Sequence, residues 1–177
     1  MIQNFIGIDV GKSGGITIIT QGADWLKVKS HVTPTLPSGD IDVVALYNIL
    51  TMLDGVVQMV VIEKVHAIFG SAAGATFEFG RSAGIAEGVV NCTRYPFMMV
   101  PPKIWQKQMW SGVDKVYKKG NKSIDTKATS LIAVRRLFPR ATLTDTSKPK
   151  SQKIHDGIVD AILLAEYGRM VWNGQIK

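Results

Sequence analysis

Cysteine is almost absent from this sequence, since Cys92 is the only one. A single cysteine excludes an intrachain disulfide, and without a Cys/His cluster there is no sign of a zinc site. Cys92 lies in an apolar helical stretch, where we expect it to be a core residue. The apolar runs are short, and the one at 56–62 is too short to cross a bilayer. With no basic segment ahead of a hydrophobic one at the N-terminus, we expect a cytoplasmic protein without membrane contact.

Acidic residues are also few. Among 177 residues, 14 Asp and Glu stand against 21 Lys and Arg, which gives a net charge of +7. This surplus favours a polyanionic partner such as a nucleic acid, although a merely basic surface gives the same balance. Because 46% of the residues are hydrophobic, the chain is too apolar to be disordered. The length favours one domain over residues 1–177, and the sequence contains no internal repeat.

The order of strand and helix patterns predicts an α/β fold. The predicted strands are 5–10, 14–20, 25–32, 56–63 and 97–100. The predicted helices are 40–53, with Asp40 as its cap, and 77–90, 103–109, 125–138 and 154–170. We therefore predict a mixed central β-sheet, with three antiparallel strands first and parallel strands after them, flanked by helices.

Four acidic side chains occupy positions where a carboxylate is costly. Asp9 and Glu63 each end an apolar strand, where an acid is unfavourable unless it is paired or bound to a cation. Asp156 and Asp160 lie four residues apart on an apolar helix, and so share one face. Any one of them could be a cap, a turn residue or a salt-bridge partner. Together they would repel one another, and their hard oxygen donors suit Mg²⁺ or Mn²⁺.

Such a cluster in a basic protein points to phosphodiester chemistry. Two ions a few ångströms apart can clamp a phosphodiester, one activating water and the other stabilising the leaving oxygen. The acids therefore make the chain a candidate nuclease.

The motifs around these acids occur in an order that resembles the RuvC family of Holliday junction resolvases. This family belongs to the ribonuclease H-like superfamily, and the chain is most similar to its phage-type members. The matching segments are G-I-D-V-G at 7–11, I-E at 62–63, F-G-R-S-A-G at 79–84 and D-A-I-L-L-A at 160–165. Each motif alone is weak, but their order and spacing are fairly specific.

The resemblance implies a ribonuclease H-like fold and a homodimer that makes paired nicks across a four-way DNA junction, leaving 5′-phosphate and 3′-hydroxyl ends. Two Mg²⁺ ions, with Mn²⁺ as a substitute, would be held by Asp9, Glu63, Asp156 and Asp160. The glycines after Asp9 would bring backbone close to metal and phosphate. A phage-encoded enzyme of this kind would act in the host cytoplasm, in DNA recombination and repair.

The resemblance also implies roles for lysines and for one aromatic residue. Lys127 is the best match to a catalytic lysine; Lys107 is a weaker match, and a one-residue slip would favour Lys103. In the lysine-rich segment, phosphate contacts would come from Lys115, Lys118, Lys119 and Lys122. Each of these lysines could instead be an ordinary solvated side chain. At the junction centre, either Phe69 or His66 would stack on bases, unless Phe69 is buried.

The chain departs from the family pattern in two places. The last two acids of the family are usually three residues apart, but residue 157 is glycine and the acid is Asp156, with His155 beside it as an alternative ligand. The loop after Glu63 also differs, so no cleavage-sequence preference can be carried over. The glycines of helix 77–90 suggest a dimer interface, or close packing on the sheet of the same chain.

Three other functions compete with a strict resolvase. Actin-like and sugar-kinase ATPases also open with D-x-G and a glycine hairpin, but they need two such lobes and this chain has one. We therefore expect no nucleotide cofactor. A nuclease for forks and flaps, or a junction-binding protein with weak catalysis, would share most of these motifs.

Overall fold

The structure is a computed structural model that describes residues 1–64, 72–120 and 122–176. Its strands are β1 (Gln3–Asp9), β2 (Gly15–Gln21), β3 (Leu26–Val32), β4 (Val56–Glu63) and β5 (Phe97–Val100). Its helices are α1 (Val43–Thr51), α2 (Ala73–Thr93), α3 (Pro102–Met109), α4 (Thr126–Leu137) and α5 (Asp156–Trp172). All ten elements correspond to predicted ones, and the bounds of β4 and β5 agree with the prediction.

The five strands form one mixed sheet in the order β3-β2-β1-β4-β5. The pairs β1–β2 and β2–β3 are antiparallel, whereas β1–β4 and β4–β5 are parallel. This arrangement confirms the predicted fold class. It also brings the carboxyl ends of β1 and β4 to the same edge of the sheet, since Ile8 pairs with Ile62.

Helices cover both faces of the sheet. On one face, β-strand residues such as Ile6 and Ile62 pack with α1 and α2 around the fully buried Leu50. On the other face, Val61 packs with residues of α3, α4 and α5. Among the described residues, no helix is long and apolar enough to span a membrane.

Three local expectations were wrong. The side chain of Asp42, not Asp40, caps α1 by accepting a hydrogen bond from the Ala45 N–H at 2.9 Å. Asp40 instead forms an ion pair of 2.6 Å with Arg81. Helix α2 begins at residue 73, four residues before the predicted start, and alanine at that position favours helix. Cys92 is exposed and not a core residue, because it lies on the outer face of α2.

Candidate active site

The parallel pairing of β1 and β4 brings the first two acids together. Asp9 is the last residue of β1 and Glu63 the last residue of β4, and their preceding residues are paired in the sheet. Both strands end at this point, so the carboxylates stand at the edge of the sheet and are neither fully buried nor fully exposed. The sequence prediction for these two positions is therefore consistent with the structure.

Helix α5 reaches the same edge because it lies against the backbone of β1. A Cβ at Gly7 would stand 2.2 Å from the carbonyl oxygen of Ala161 and 2.3 Å from the backbone nitrogen of Ala165. Only glycine permits this approach, since real Cβ atoms do not come so close to backbone. The close crossing brings Asp160, one residue before Ala161, towards Asp9.

The first turn of α5 has a similar contact with the turn between β1 and β2. A Cβ at Gly157 would lie 2.6 Å from the carbonyl carbon of Gly14 and 2.7 Å from the oxygen of Ser13. No side chain fits there without moving backbone. This packing accounts for the absence of an acid at residue 157 and leaves Asp156, one position earlier, as the second carboxylate of α5.

Three of the four acids have a raised pKa. Burial, followed by the neighbouring carboxylates of Glu63 and Asp160, raises the pKa of Asp9 well above its ordinary value. Burial raises the pKa of Asp160 to about 7, although a hydrogen bond from Ser130 opposes the shift. Burial also raises the pKa of Glu63. Burial thus disfavours the ionised form of all three carboxylates, and for Asp9 and Asp160 the neighbouring carboxylates add to this effect.

The fourth acid lies at the rim and has a counter-charge. Lys127 Nζ lies 2.6 Å from Asp156 Oδ2, and both side chains are at least half exposed. This hydrogen bond is the main cause of the raised pKa of Lys127. The structure thus places Lys127, the predicted catalytic lysine, in direct contact with one of the predicted ligands.

A cavity of about 480 Å³ opens over the site. Its walls include Asp9, Asp156, Asp160 and Lys127, together with Ser13 and residues of the loop before α5. His155 was predicted as an alternative ligand, whereas no role was predicted for the other residues of that loop. The loop residues that line the cavity are Asp145, Lys148, Ser151, Lys153, Ile154 and His155.

Two of the loop residues differ in character. Asp145 accepts hydrogen bonds from the Ser147 hydroxyl at 2.6 Å and from its N–H at 3.0 Å, which lower the pKa of Asp145. It is therefore committed to its own loop. His155 stands at the N-terminus of α5, and its buried Nδ1 atom has no hydrogen-bond partner in the part of the chain that the structure describes. His155 accordingly stays an open candidate for ligand binding.

The donor set fits a hard divalent cation in chemistry, because all four acids offer carboxylate oxygens, and among the described residues only Asp156 of these four has a lysine in an ion pair with it. In the described part of the chain, however, no three His, Cys, Asp or Glu side chains form an arrangement ready to hold a metal ion. A cation would therefore have to draw the carboxylates into its own coordination geometry.

Two groups beside the acids were also missed from the sequence. The indole nitrogen of Trp105 donates to Glu63 Oε1 at 3.2 Å, and Ser130 is hydrogen-bonded to Asp160. Trp105 is separated from Glu63 by 42 residues and Ser130 from Asp160 by 30, so no local pattern could have revealed either contact.

The predicted DNA-binding lysines fall into two groups. Lys103, Lys107 and Lys115 line one cavity of about 430 Å³, together with Trp110. Lys118, Lys119 and Lys122 are exposed in the loop that leads to α4. Phe69 and His66 lie outside the described residues.

No protein-family model matches the sequence, and none of the curated proteins matches it. The structure, by contrast, is similar to solved resolvases. RuvC of Thermus thermophilus in complex with a Holliday junction substrate has a TM-score of 0.58 and 14% identity, with 99% of this chain and 95% of that chain covered. The yeast mitochondrial Holliday junction resolvase Ydc2 has a TM-score of 0.57 and 17% identity, over 96% and 78% of the two chains.

A viral protein gives the same result. The fowlpox virus resolvase, solved with Holliday junction DNA, has a TM-score of 0.53 and 14% identity, with 93% of this chain and 97% of that chain covered. These similarities confirm the predicted ribonuclease H-like fold of the RuvC type. At such low identity they concern the fold, and the assignment to phage-type members stays a prediction.

Proposed function

We propose that this chain is a structure-selective DNA endonuclease that resolves four-way junctions by paired nicks. The observation that carries the proposal is the group formed by Asp9, Glu63 and Asp160 on a RuvC-type fold. Burial raises the pKa of all three carboxyl groups, which would be relieved by a bound cation, and the cavity beside them has lysine in its walls. A phosphodiester with bound cations would supply what the cluster lacks.

The proposed cofactor is Mg²⁺ or Mn²⁺, two ions per site, held by Asp9, Glu63, Asp156 and Asp160. Bound ions of this kind lower the pKa of water and stabilise charge on the attacking and leaving oxygens. In the proposed hydrolysis, water oxygen bonds to phosphorus and the bond to the 3′ oxygen breaks, which leaves 3′-hydroxyl and 5′-phosphate ends.

The protein side chains would hold the DNA and neutralise its charge. Lys127 donates to Asp156, and its exposed ammonium group can turn to a phosphate oxygen at the same rim. Lys103, Lys107 and Lys115 converge on a second cavity suited to the flanking backbone. The exposed Lys118, Lys119 and Lys122 would extend this basic surface.

We further propose a homodimer that pairs the outer faces of α1 and α2. Among the described residues, a Cβ at Gly80, Gly84 or Gly88 would meet no atom within 4 Å, so the glycine face of α2 does not pack on the described sheet. Beside it, an apolar groove includes Val44, Tyr47, Ile85 and the exposed Cys92. An unpaired surface of this kind favours self-association. Two sites related by a two-fold axis would suit paired nicks in a four-way junction.

The test is cleavage of a labelled synthetic four-way junction and of the matching linear duplex, in Mg²⁺ or in EDTA. We expect paired nicks in the junction alone, which disappear in EDTA and in Asp9→Asn, while junction binding by Asp9→Asn survives. Asp24→Asn, an equivalent change at an exposed turn residue, should cleave like wild type. Binding without cleavage in either metal would instead indicate a junction-binding protein, and equal cleavage of forks and flaps a broader nuclease.

A further inference from the structure

Helix α3 is attached to the edge of the sheet that carries Glu63. Strand β5 pairs with β4 so that Val100 stands opposite Glu63. Pro101 and Pro102 follow at once, which ends the strand and starts α3 with proline at its first position. The helix therefore begins beside Glu63, and its fourth residue, Trp105, is placed over the carboxylate.

Trp105 is fully buried and directs its only polar atom at this acid. Its indole nitrogen lies 3.2 Å from Glu63 Oε1, a normal hydrogen-bond distance. An indole N–H can only donate, so Glu63 accepts. The bond holds one oxygen of the carboxylate in place and so limits the rotation of the side chain.

Trp110, at the end of α3, is connected to Asp160 through Ser130. Its indole nitrogen lies 3.3 Å from the hydroxyl oxygen of Ser130, and both residues are buried. Because the indole is the donor, Ser130 accepts from it and its own proton is available for Asp160, to which it is hydrogen-bonded.

Building on the proposed function, we propose that Trp105 is a positioning residue that orients the Glu63 carboxylate for a divalent cation. Trp110 and Ser130 do the same for Asp160. Partners of this kind normally orient metal ligands, and their loss weakens metal affinity or activity about 10–100-fold. The same helix carries Lys103 and Lys107 on its exposed side, so α3 contributes side chains both to the acidic cluster and to the lysine-lined cavity.

The first measurement is metal affinity without DNA. We expect calorimetry to show a Mn²⁺ dissociation constant about 10–100-fold higher in Trp105→Phe than in wild type. Phenylalanine keeps the aromatic packing and removes the N–H. Trp172→Phe, at an exposed tryptophan, is the matched control and should bind Mn²⁺ like wild type. If Trp105→Phe does not fold, benzothienylalanine at the same position removes the N–H while keeping the shape of the indole.

The second measurement uses the indole signals themselves. In a spectrum of protein labelled with ¹⁵N in its four tryptophans, Mg²⁺ should shift the Trp105 and Trp110 signals. Trp25, at the opposite end of the sheet, and Trp172 should not respond. Trp172 follows Asp160 by 12 residues, about 18 Å along α5.

The outcomes separate this inference from the proposed function. If wild type binds neither Mn²⁺ nor Mg²⁺, the proposed metal-dependent nuclease is wrong. If wild type binds metal and a folded variant without the Trp105 N–H binds equally tightly, the positioning role is wrong and the metal site stands. A purely structural role for the indole would lower the melting temperature and leave the Mn²⁺ dissociation constant unchanged.

Discussion

Replacing Gly157 with alanine tests whether backbone packing decides where the acids of α5 stand. The new Cβ would lie 2.6–2.7 Å from three backbone atoms of Ser13 and Gly14. Ordinary carbon contacts are about 3.5–4.0 Å long, so the overlap is about 1 Å. Because all three contacted atoms are backbone, no change of rotamer can relieve it.

The magnitude follows from two opposing effects. Overpacking costs about 1–3 kcal/mol, and contact with backbone favours the upper end of that range. Alanine regains up to about 1 kcal/mol over glycine in a helix. The net loss of about 2 kcal/mol corresponds to a melting temperature lower by about 4–8 °C. If α5 moves by about 1 Å, junction cleavage should also fall on the order of 10²-fold.

The matched control is Gly74→Ala. Gly74 is the second residue of α2, as Gly157 is of α5, but a Cβ at Gly74 meets no atom of the described residues within 4 Å. We expect its melting temperature to rise by up to about 4 °C. Thermal unfolding followed by circular dichroism compares the two variants with wild type. A Gly157→Ala protein that melts at or above the wild-type temperature would refute the packing argument.

Two further predictions concern charge. Because the pKa of Asp160 is raised to about 7 in the fold, the folded protein binds more protons than the unfolded chain, and its melting temperature in EDTA should fall as pH rises from about 4 to about 7. Asp160→Asn should flatten this dependence; an unchanged slope would contradict the assignment. Alanine substitution of Lys103, Lys107 and Lys115 should lower the slope of log affinity against log salt by about 0.9 per lost phosphate contact, measured by junction-binding titrations. Lys27→Ala, on β3, should keep the wild-type slope.

The sequence was sufficient to place the acids because their positions follow from local pattern and sheet geometry. Asp9 and Glu63 end apolar strands, and parallel neighbours bring their carboxyl ends together. Asp156 and Asp160 follow from helix periodicity. The pattern could not show that the two aspartates have different surroundings. Asp160 is buried, whereas Asp156 is exposed and paired with Lys127.

The missed residues act through long-range contacts. Nothing in the sequence near Trp105 indicates that its indole N–H meets Glu63, which lies 42 residues earlier. The exposure of Cys92 was misjudged because an apolar helix was taken to be buried, whereas its outer face is open. Gly157 looked like a departure from the family spacing, and its contact with Gly14 gives the departure a steric cause.

The contact between Gly7 and the backbone of α5 links the proposed cation site to global stability. Asp160 is held near Asp9 by folding itself, and the repulsion between the acids is a cost that the folded state carries before any ligand arrives. A cation that binds only this folded arrangement stabilises it by mass action, and the gain grows with cation concentration. By the same linkage, a substitution that loosens α5 from β1 would weaken cation binding without touching a ligand. The rise of the melting temperature with Mg²⁺ concentration should therefore become smaller when the packing of α5 against β1 is weakened.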